Sequence, residues 1–314
     1  MGIKNLNNYI SNNCKNSLKN ITFYNLKNKV IVVDTSIYLY KFKSENMLID
    51  GFYQLITKFK FFNIIPIFIF DGKPISNKES LLEKRKKYKL KARKKYDNIR
   101  YRINNNLDNN LILKSLNKEL IKLEKKCLSI TKKEIYDVKC LFRHMNVYYY
   151  NAPFESDSIC AKFVINNIAY ACLSDDMDLF VYGCPRVLRY LNIFKSTLVL
   201  YDYSKILKSL EINDNNFKKL CILSGTDYNI NDEKISFDKA YTLYNIYKYS
   251  NYDNYIVWLI DNNIINSKYN INDILKIFNL DNINMEKYIR IYNNKKNNKE
   301  QLELFLQDYG FIFI

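Results

Sequence analysis

Lys29-Val30-Ile31-Val32-Val33-Asp34 decides the fold: four consecutive apolar residues, three of them valine, run straight into a carboxylate. An unbroken apolar run without alternation is what a strand buried on both faces of a parallel sheet requires. Three further apolar runs end on acids. Ile64 to Phe70 leads into Asp71-Gly72-Lys73-Pro74, Ile168 to Leu173 into Ser174-Asp175-Asp176-Met177-Asp178, and Leu220 to Leu223 into Ser224-Gly225-Thr226-Asp227. The last reads as a helix stopped at Gly225, because Phe217 to Leu223 lacks β-branched enrichment. Helical patterns over 51–62, 158–166 and 203–210 separate these runs. The expected fold class is therefore α/β, with a mostly parallel central sheet flanked by helices.

The rest of the chain narrows the function classes. Its 314 residues are 48% hydrophobic, enough for a sizeable core, and only 6 Gly and 4 Pro exclude collagen-like and linker-like chains. Seven scattered cysteines contain no Cys-x-x-Cys pair, and His144 is the single histidine. That argues for a reducing compartment and against zinc ribbons, disulfide frameworks and Ser-His-Asp chemistry, leaving His144 a structural role. MGIKNLNNYI has no apolar signal region, and the run from Phe61 to Phe70 is broken by Asn63 and Pro66. A soluble, intracellular protein with no membrane partner is expected.

The formal charge is +17, but the surplus of Asn, Lys, Ile and Tyr follows A/T-rich codons, so charge informs only where it is concentrated. Residues 78–102 hold 12 Lys/Arg against 3 Asp/Glu, with Leu81, Leu82 and several tyrosines interleaved. Leu111, Leu116, Leu120 and Leu123 continue at helical spacing. This reads as an inserted helical element with a cationic face.

In open α/β sheets, ligands bind at the carboxyl ends of the strands, where Asp34, Asp71, Asp176 and Asp178 would converge. One Asp after a strand is more often a helix cap; several crowded together need a cation to remain ionised. With no His or Cys cluster, oxygen-only ligation suits Mg²⁺ or Mn²⁺. In Asn151-Ala-Pro-Phe-Glu155-Ser-Asp157, Pro153 fits a first helical turn. Positions 155 and 157 do not share a helix face, so both reach one site only if Glu155 lies in the irregular start of the helix.

Taken in order, these motifs resemble the flap endonuclease/XPG family of structure-specific 5′ nucleases. Met1-Gly-Ile-Lys-Asn-Leu6 is similar to its amino-terminal signature, Val33-Asp34-Thr-Ser-Ile-Tyr-Leu-Tyr40 to its first metal Asp and following helix, and Phe70-Asp71-Gly-Lys-Pro74 to its second. Ala152-Pro-Phe-Glu155-Ser-Asp157, Ser174-Asp-Asp176-Met-Asp178 and Leu220-Cys-Ile-Leu-Ser-Gly-Thr-Asp227-Tyr are similar to its later acidic motifs. The resemblance implies a PIN-like nuclease core and two Mg²⁺ ions, with Mn²⁺ able to substitute, held by Asp34, Asp71, Glu155, Asp157, Asp176, Asp178 and Asp227. It implies that Lys78 and Arg85 contact the scissile phosphate, and that Tyr40 stacks a base near the cut. Gly2 would pack close to DNA, and the basic insertion, with Lys84, Lys86 and Arg93, would be a helical arch that clamps a single strand.

Three positions depart from the family pattern. Asp157 replaces a Glu, Phe154 stands where a small residue or Ser is usual, and Lys234-Ile-Ser236 occupies the place of a duplex-binding Gly-x-Gly. Lys234 and Lys239 are the candidate substitutes for that phosphate contact. No sliding-clamp-binding motif is evident, since Gln301-Leu-Glu-Leu-Phe305 reads as an amphipathic helix, and a monomer is expected. The expected regions are 1–75 and 136–229 for the nuclease, 76–135 for the arch, and 230–314 for a degenerate helix-two-turn-helix with C-terminal helices. The expected activity is Mg²⁺-dependent hydrolysis, endonucleolytic or 5′-3′ exonucleolytic, of branched or flapped DNA in replication, repair or recombination. Alternatives within the superfamily are a Holliday-junction resolvase and a 5′-3′ exoribonuclease; outside it, a non-catalytic nucleic-acid-binding scaffold. Nucleus, cytoplasm or a viral replication site all suit this reading, the last because of the A/T-coded composition.

Overall fold

The computed structural model describes residues 3–74, 78–105, 110–228, 235–266, 271–286 and 299–313. In chain order its elements are α1 Leu6–Asn13, β1 Leu18–Thr22, β2 Val30–Asp34, α2 Thr35–Ser44, α3 Leu48–Phe61, β3 Ile65–Phe70, α4 Glu79–Asn104, α5 Asn110–Cys127, α6 Lys132–His144, β4 Tyr148–Asn151 and α7 Ser156–Ile165. They continue with β5 Ala171–Leu173, α8 Asp178–Val181, β6 Arg186–Asn192, β7 Thr197–Asp202, α9 Tyr203–Leu210, α10 Asp214–Ser224, α11 Phe237–Tyr247, α12 Tyr255–Asp261, α13 Ile271–Ile277 and α14 Lys299–Gln307.

The seven strands form one sheet in the order β1-β7-β6-β5-β2-β3-β4. From β6 to β4 all neighbours are parallel, while β7 and β1 add an antiparallel edge. The 29–34 run forms β2, the middle one of the five parallel strands, with Ile31, Val32 and Val33 wholly buried. Its alternating side chains feed two cores. Val32 joins Ile69, Cys172 and Val187 on one face, and Ile31 and Val33 join Phe68, Phe70, Leu173 and Leu188 on the other. Because β2 pairs with β3 on one side and β5 on the other, the chain reverses its direction of sheet growth at the carboxyl end of β2. Such a switch point is where an open sheet leaves a crevice.

The structure refines several sequence expectations. The strand expected from Ile168 is only Ala171–Leu173, because the Ile168 and Ala169 amides donate to the Phe163 carbonyl and close α7. Pro153 lies outside the helix, which starts at Ser156 with Glu155 as its cap. The backbone there is instead paired laterally: Gly72 N–H donates to the Phe154 carbonyl (2.5 Å) and Lys73 N–H to that of Pro153 (3.1 Å). A Cβ on Gly72 would come under 3.0 Å of the Ala152 and Pro153 carbonyl oxygens, so this close approach requires glycine. Gly225, at φ 97°, ends α10 as expected. Strands β1, β4, β6 and β7 go beyond the sequence expectation; β6, at seven residues, is bulged between Arg189 and Asn192.

The basic segment is a helical hairpin. At 26 residues, α4 is about 39 Å long. It packs against α5 through its own small core of Ala92, Ile99, Leu116 and Leu123, with Lys95 paired to Glu119 at 2.5 Å. On the sheet face that carries α3, α14 packs on α6, where the His144 ring meets Phe305 at 5.3 Å and burial lowers the imidazole pKa. Among the described residues, no helix is long and apolar enough to cross a membrane.

Candidate active site

Asp34 ends β2 and caps α2, which places its carboxylate at the switch point. It is buried, and its oxygens accept from Ser36 N–H (3.2 Å), Ser156 Oγ (3.0 Å) and Ser174 Oγ (3.0 Å). Asp71, one residue beyond β3, accepts from the Ser36 hydroxyl and from Ser156 N–H at 2.8 Å, the latter in the first turn of α7. The partial positive charge of a helix start favours anions there. On the other side of β2, the loop after β5 is self-braced: Asp176 N–H donates to Ser174 Oγ (3.1 Å) and Asp178 N–H to Asp176 Oδ1 (3.0 Å).

Strand β6 holds this loop from outside. Arg189 Nη2 donates to the Asp175 carbonyl (2.8 Å) and Tyr190 N–H to Asp175 Oδ1 (2.9 Å). Tyr190 has φ 55°, a left-handed conformation that costs a bulky residue on the order of 1–3 kcal/mol. The bulge thus turns its amide onto the acidic loop. Neither residue stands out in the sequence, because the contact depends on an irregular register.

Acids from α7 and the end of α10 complete the cluster. Burial, then the charge on Asp71, pushes the Asp34 carboxyl up to about 7. Burial, then the neighbouring acids, raises Asp157 and Asp178 well above the carboxylate range. Asp157 Oδ1 and Asp178 Oδ1 are buried without a hydrogen-bond partner. A carboxylate oxygen left so is costly unless a proton or cation serves it. The donor set is entirely oxygen, which fits a hard divalent ion such as Mg²⁺. Among the described residues no three Asp, Glu, His or Cys side chains already form a closed ligand set.

Two of the acids are instead held by cations from the hairpin. Lys78 Nζ, buried at the start of α4, lies 2.6 Å from Glu155 Oε1 and 3.3 Å from Asp227 Oδ2. Burial opposes the Lys78 charge, but Glu155 and Asp227 more than offset it and raise its pKa. Arg85 Nη2, seven residues further along the same helix, reaches Asp227 Oδ2 at 2.9 Å. Tyr228 hydroxyl donates to Glu155 Oε2 at 2.5 Å, a partnership that nothing in the sequence signals beyond the place of the tyrosine directly after Asp227.

All seven candidate acids therefore fall in one cluster of interacting charges at the carboxyl end of the sheet, with Lys78 and Arg85 paired to two of them. Tyr40 is half-exposed on α2, under Lys89 of α4 at 5.6 Å. With Leu82, Arg85, Lys86 and Arg93 they line a cleft of about 480 Å³. Lys84 is exposed on α4 outside this lining, and Lys239 is exposed in the first turn of α11. Gly2 and Lys234 lie outside the described residues.

Comparison with known proteins accounts for this arrangement. Residues 1–92 match the XPG N-terminal domain and residues 146–227 the XPG I-region. Flap endonuclease 1 of Methanococcus aeolicus is 34% identical over 243 residues, spanning 72% of this chain and 71% of that protein. Flap endonuclease 1 of Meyerozyma guilliermondii is 28% identical over 282 residues, spanning 83% and 71%. Among solved structures, the fold is similar to the catalytic core of Rad2 in complex with DNA substrate (TM-score 0.69, 19% identity, 98% of this chain and 95% of that one). It is also similar to flap endonuclease-1 from Methanococcus jannaschii (TM-score 0.61, 24% identity, 93% and 90%). Two family domains in order around the acidic crevice, with a relative at 34% identity, show that the chain belongs to the flap endonuclease/XPG family of structure-specific 5′ nucleases.

Proposed function

We propose that this nuclease hydrolyses phosphodiester bonds of branched or flapped DNA beside the single-strand/duplex junction, in a Mg²⁺-dependent reaction. The observation that carries the reading is the pair of buried, unpartnered oxygens on Asp157 and Asp178 within a crevice of acids. Asp34, Asp71, Glu155, Asp157, Asp176, Asp178 and Asp227 would hold two ions, which when bound supply an activated water and offset charge on the leaving oxygen.

The chain's own groups do the rest. Ser36, Ser156 and Ser174 fix the Asp34 and Asp71 carboxylates, so the acids need not reorganise when substrate arrives. Lys78 and Arg85 exchange their carboxylate partners for the scissile phosphate, bringing two positive charges to it. Tyr40 offers an exposed face for the terminal base, and Lys86, Lys89 and Arg93 carry the unpaired strand past it. Lys84, Lys239 and, outside the described residues, Gly2 and Lys234 are further proposed DNA contacts. In this scheme residues 1–75 and 136–229 form the nuclease, 76–135 the strand clamp and 230–314 the duplex-side region.

Asp176→Asn and Asp178→Asn test it. Each should abolish Mg²⁺-dependent cleavage of a 5′-flap duplex while leaving flap binding within about twofold, since the amide keeps the shape and loses the charge. Full Mg²⁺-dependent activity in the double variant would contradict the assignment.

A further inference from the structure

We propose that Tyr228 is a positioning residue that fixes the Glu155 carboxylate and the Lys78 ammonium relative to each other; this rests on the nuclease reading of the crevice. Glu155 caps α7 without a side-chain hydrogen bond to the helix, so its orientation depends on its two partners. Lys78 takes Oε1 at 2.6 Å and the Tyr228 hydroxyl takes Oε2 at 2.5 Å. The Tyr228 hydroxyl is the donor to Glu155, so its single phenolic proton points there. The Tyr182 hydroxyl, 3.3 Å from that of Tyr228, is then the donor to it. The result is a directed chain, Tyr182 to Tyr228 to Glu155, buried at its tyrosine end.

The same ring serves the cation. Lys78 Nζ lies 4.5 Å from the Tyr228 ring centroid, an attractive position over an aromatic face. Ring and hydroxyl of one residue therefore address both members of the Lys78–Glu155 pair. The ring is itself immobilised. It meets Phe278 edge-on at 5.3 Å, and Phe278 also packs against Tyr182 at 4.8 Å. Phe278 follows α13, so the segment beyond the acidic crevice contributes to its geometry. When Lys78 turns to a phosphate, the Tyr228 hydroxyl is the contact that keeps Glu155 in place.

Tyr228→Phe removes one oxygen and keeps the ring, separating positioning from packing. Hydrogen bonds to charged groups are worth enough that single-turnover cleavage of a 5′ flap should slow roughly ten- to hundredfold. Mg²⁺ affinity of the DNA-free protein, measured by calorimetry, should fall several-fold, with flap affinity in Ca²⁺ and melting temperature nearly unchanged. In a Glu155→Gln background the same change should add less than about twofold, because groups that act through one another are not additive. Tyr182→Phe, which loses only the upstream donor, should show a smaller defect of the same kind. Wild-type cleavage and Mg²⁺ affinity in Tyr228→Phe, alongside an inactive Asp178→Asn, would overturn the positioning role and leave the nuclease reading intact. An active Asp178→Asn would overturn both.

Discussion

At the residue scale, the crevice sets burial against charge. Asp34 tolerates burial because three donors meet it, whereas Asp157 and Asp178 each keep an oxygen with none. Lys78 and Arg85 hold the rim, at 2.6 to 3.3 Å from Glu155 and Asp227. If they engage the reacting phosphate, Lys78→Ala and Arg85→Ala should lower single-turnover cleavage by about a hundredfold or more, with flap affinity falling only a few-fold. Equal losses in rate and affinity, read by rapid quench and by titration in Ca²⁺, would reduce both to clamps. The acids were legible in sequence because each sits at the end of an apolar run or in a short motif. Their partners were not. Ser36, Ser156, Ser174, Arg189 and Tyr228 matter through distances that link residues up to 140 positions apart, which no spacing rule reveals.

At the scale of elements, three pieces were readable for physical reasons. Strand β2 is apolar on both faces, α10 ends at a glycine with φ 97°, and α4 combines helical spacing with dense charge. In the antiparallel edge, β1 and β6 mix polar and apolar residues and β6 breaks its own period at a bulge, whereas β7 carries an unbroken apolar run, Leu198 to Tyr201, that ends on Asp202 as the recognised strands do. Pro153 misled because its carbonyl is used in lateral pairing with Lys73, a tertiary demand that overrides its helix-start preference. For the hairpin, the proposed role makes a quantitative claim. Replacing Lys86, Lys89 and Arg93 with Gln should weaken flap binding and reduce the slope of log affinity against log salt by roughly one for each phosphate no longer neutralised. An unchanged slope would take the cleft beside Tyr40 out of the path of the strand. The helices should remain folded in that variant, since their small core of Ala92, Ile99, Leu116 and Leu123 is untouched.

At the scale of the whole molecule, two apolar cores on opposite faces of one sheet support an edge of acids that resist ionisation together. Asp34 binds a proton more tightly in the folded state, near 7, than an ordinary Asp at 3.8. Between those values the folded form holds more protons than the unfolded one, so this group's contribution to stability is present at low pH and is lost as pH rises through 7. On the proposed metal binding, a divalent ion would take over from the protons where they leave. The gain in melting temperature on adding Mg²⁺ should therefore be larger at pH 8 than at pH 5.5, and should shrink in Asp34→Asn; scanning fluorimetry measures both. A Mg²⁺ gain independent of pH would separate metal binding from the buried carboxylates.

The central claim, that this crevice cuts DNA at a junction, is tested most directly by mapping Mg²⁺-dependent single-turnover cleavage on end-labelled 5′-flap, four-way-junction and single-stranded RNA substrates in parallel. The account predicts a cut within a few nucleotides of the flap base, faster than cleavage of the other two by an order of magnitude or more, and absent in Asp178→Asn. Preferential cutting of the four-way junction or of RNA, or flap cleavage that survives Asp178→Asn, would contradict it.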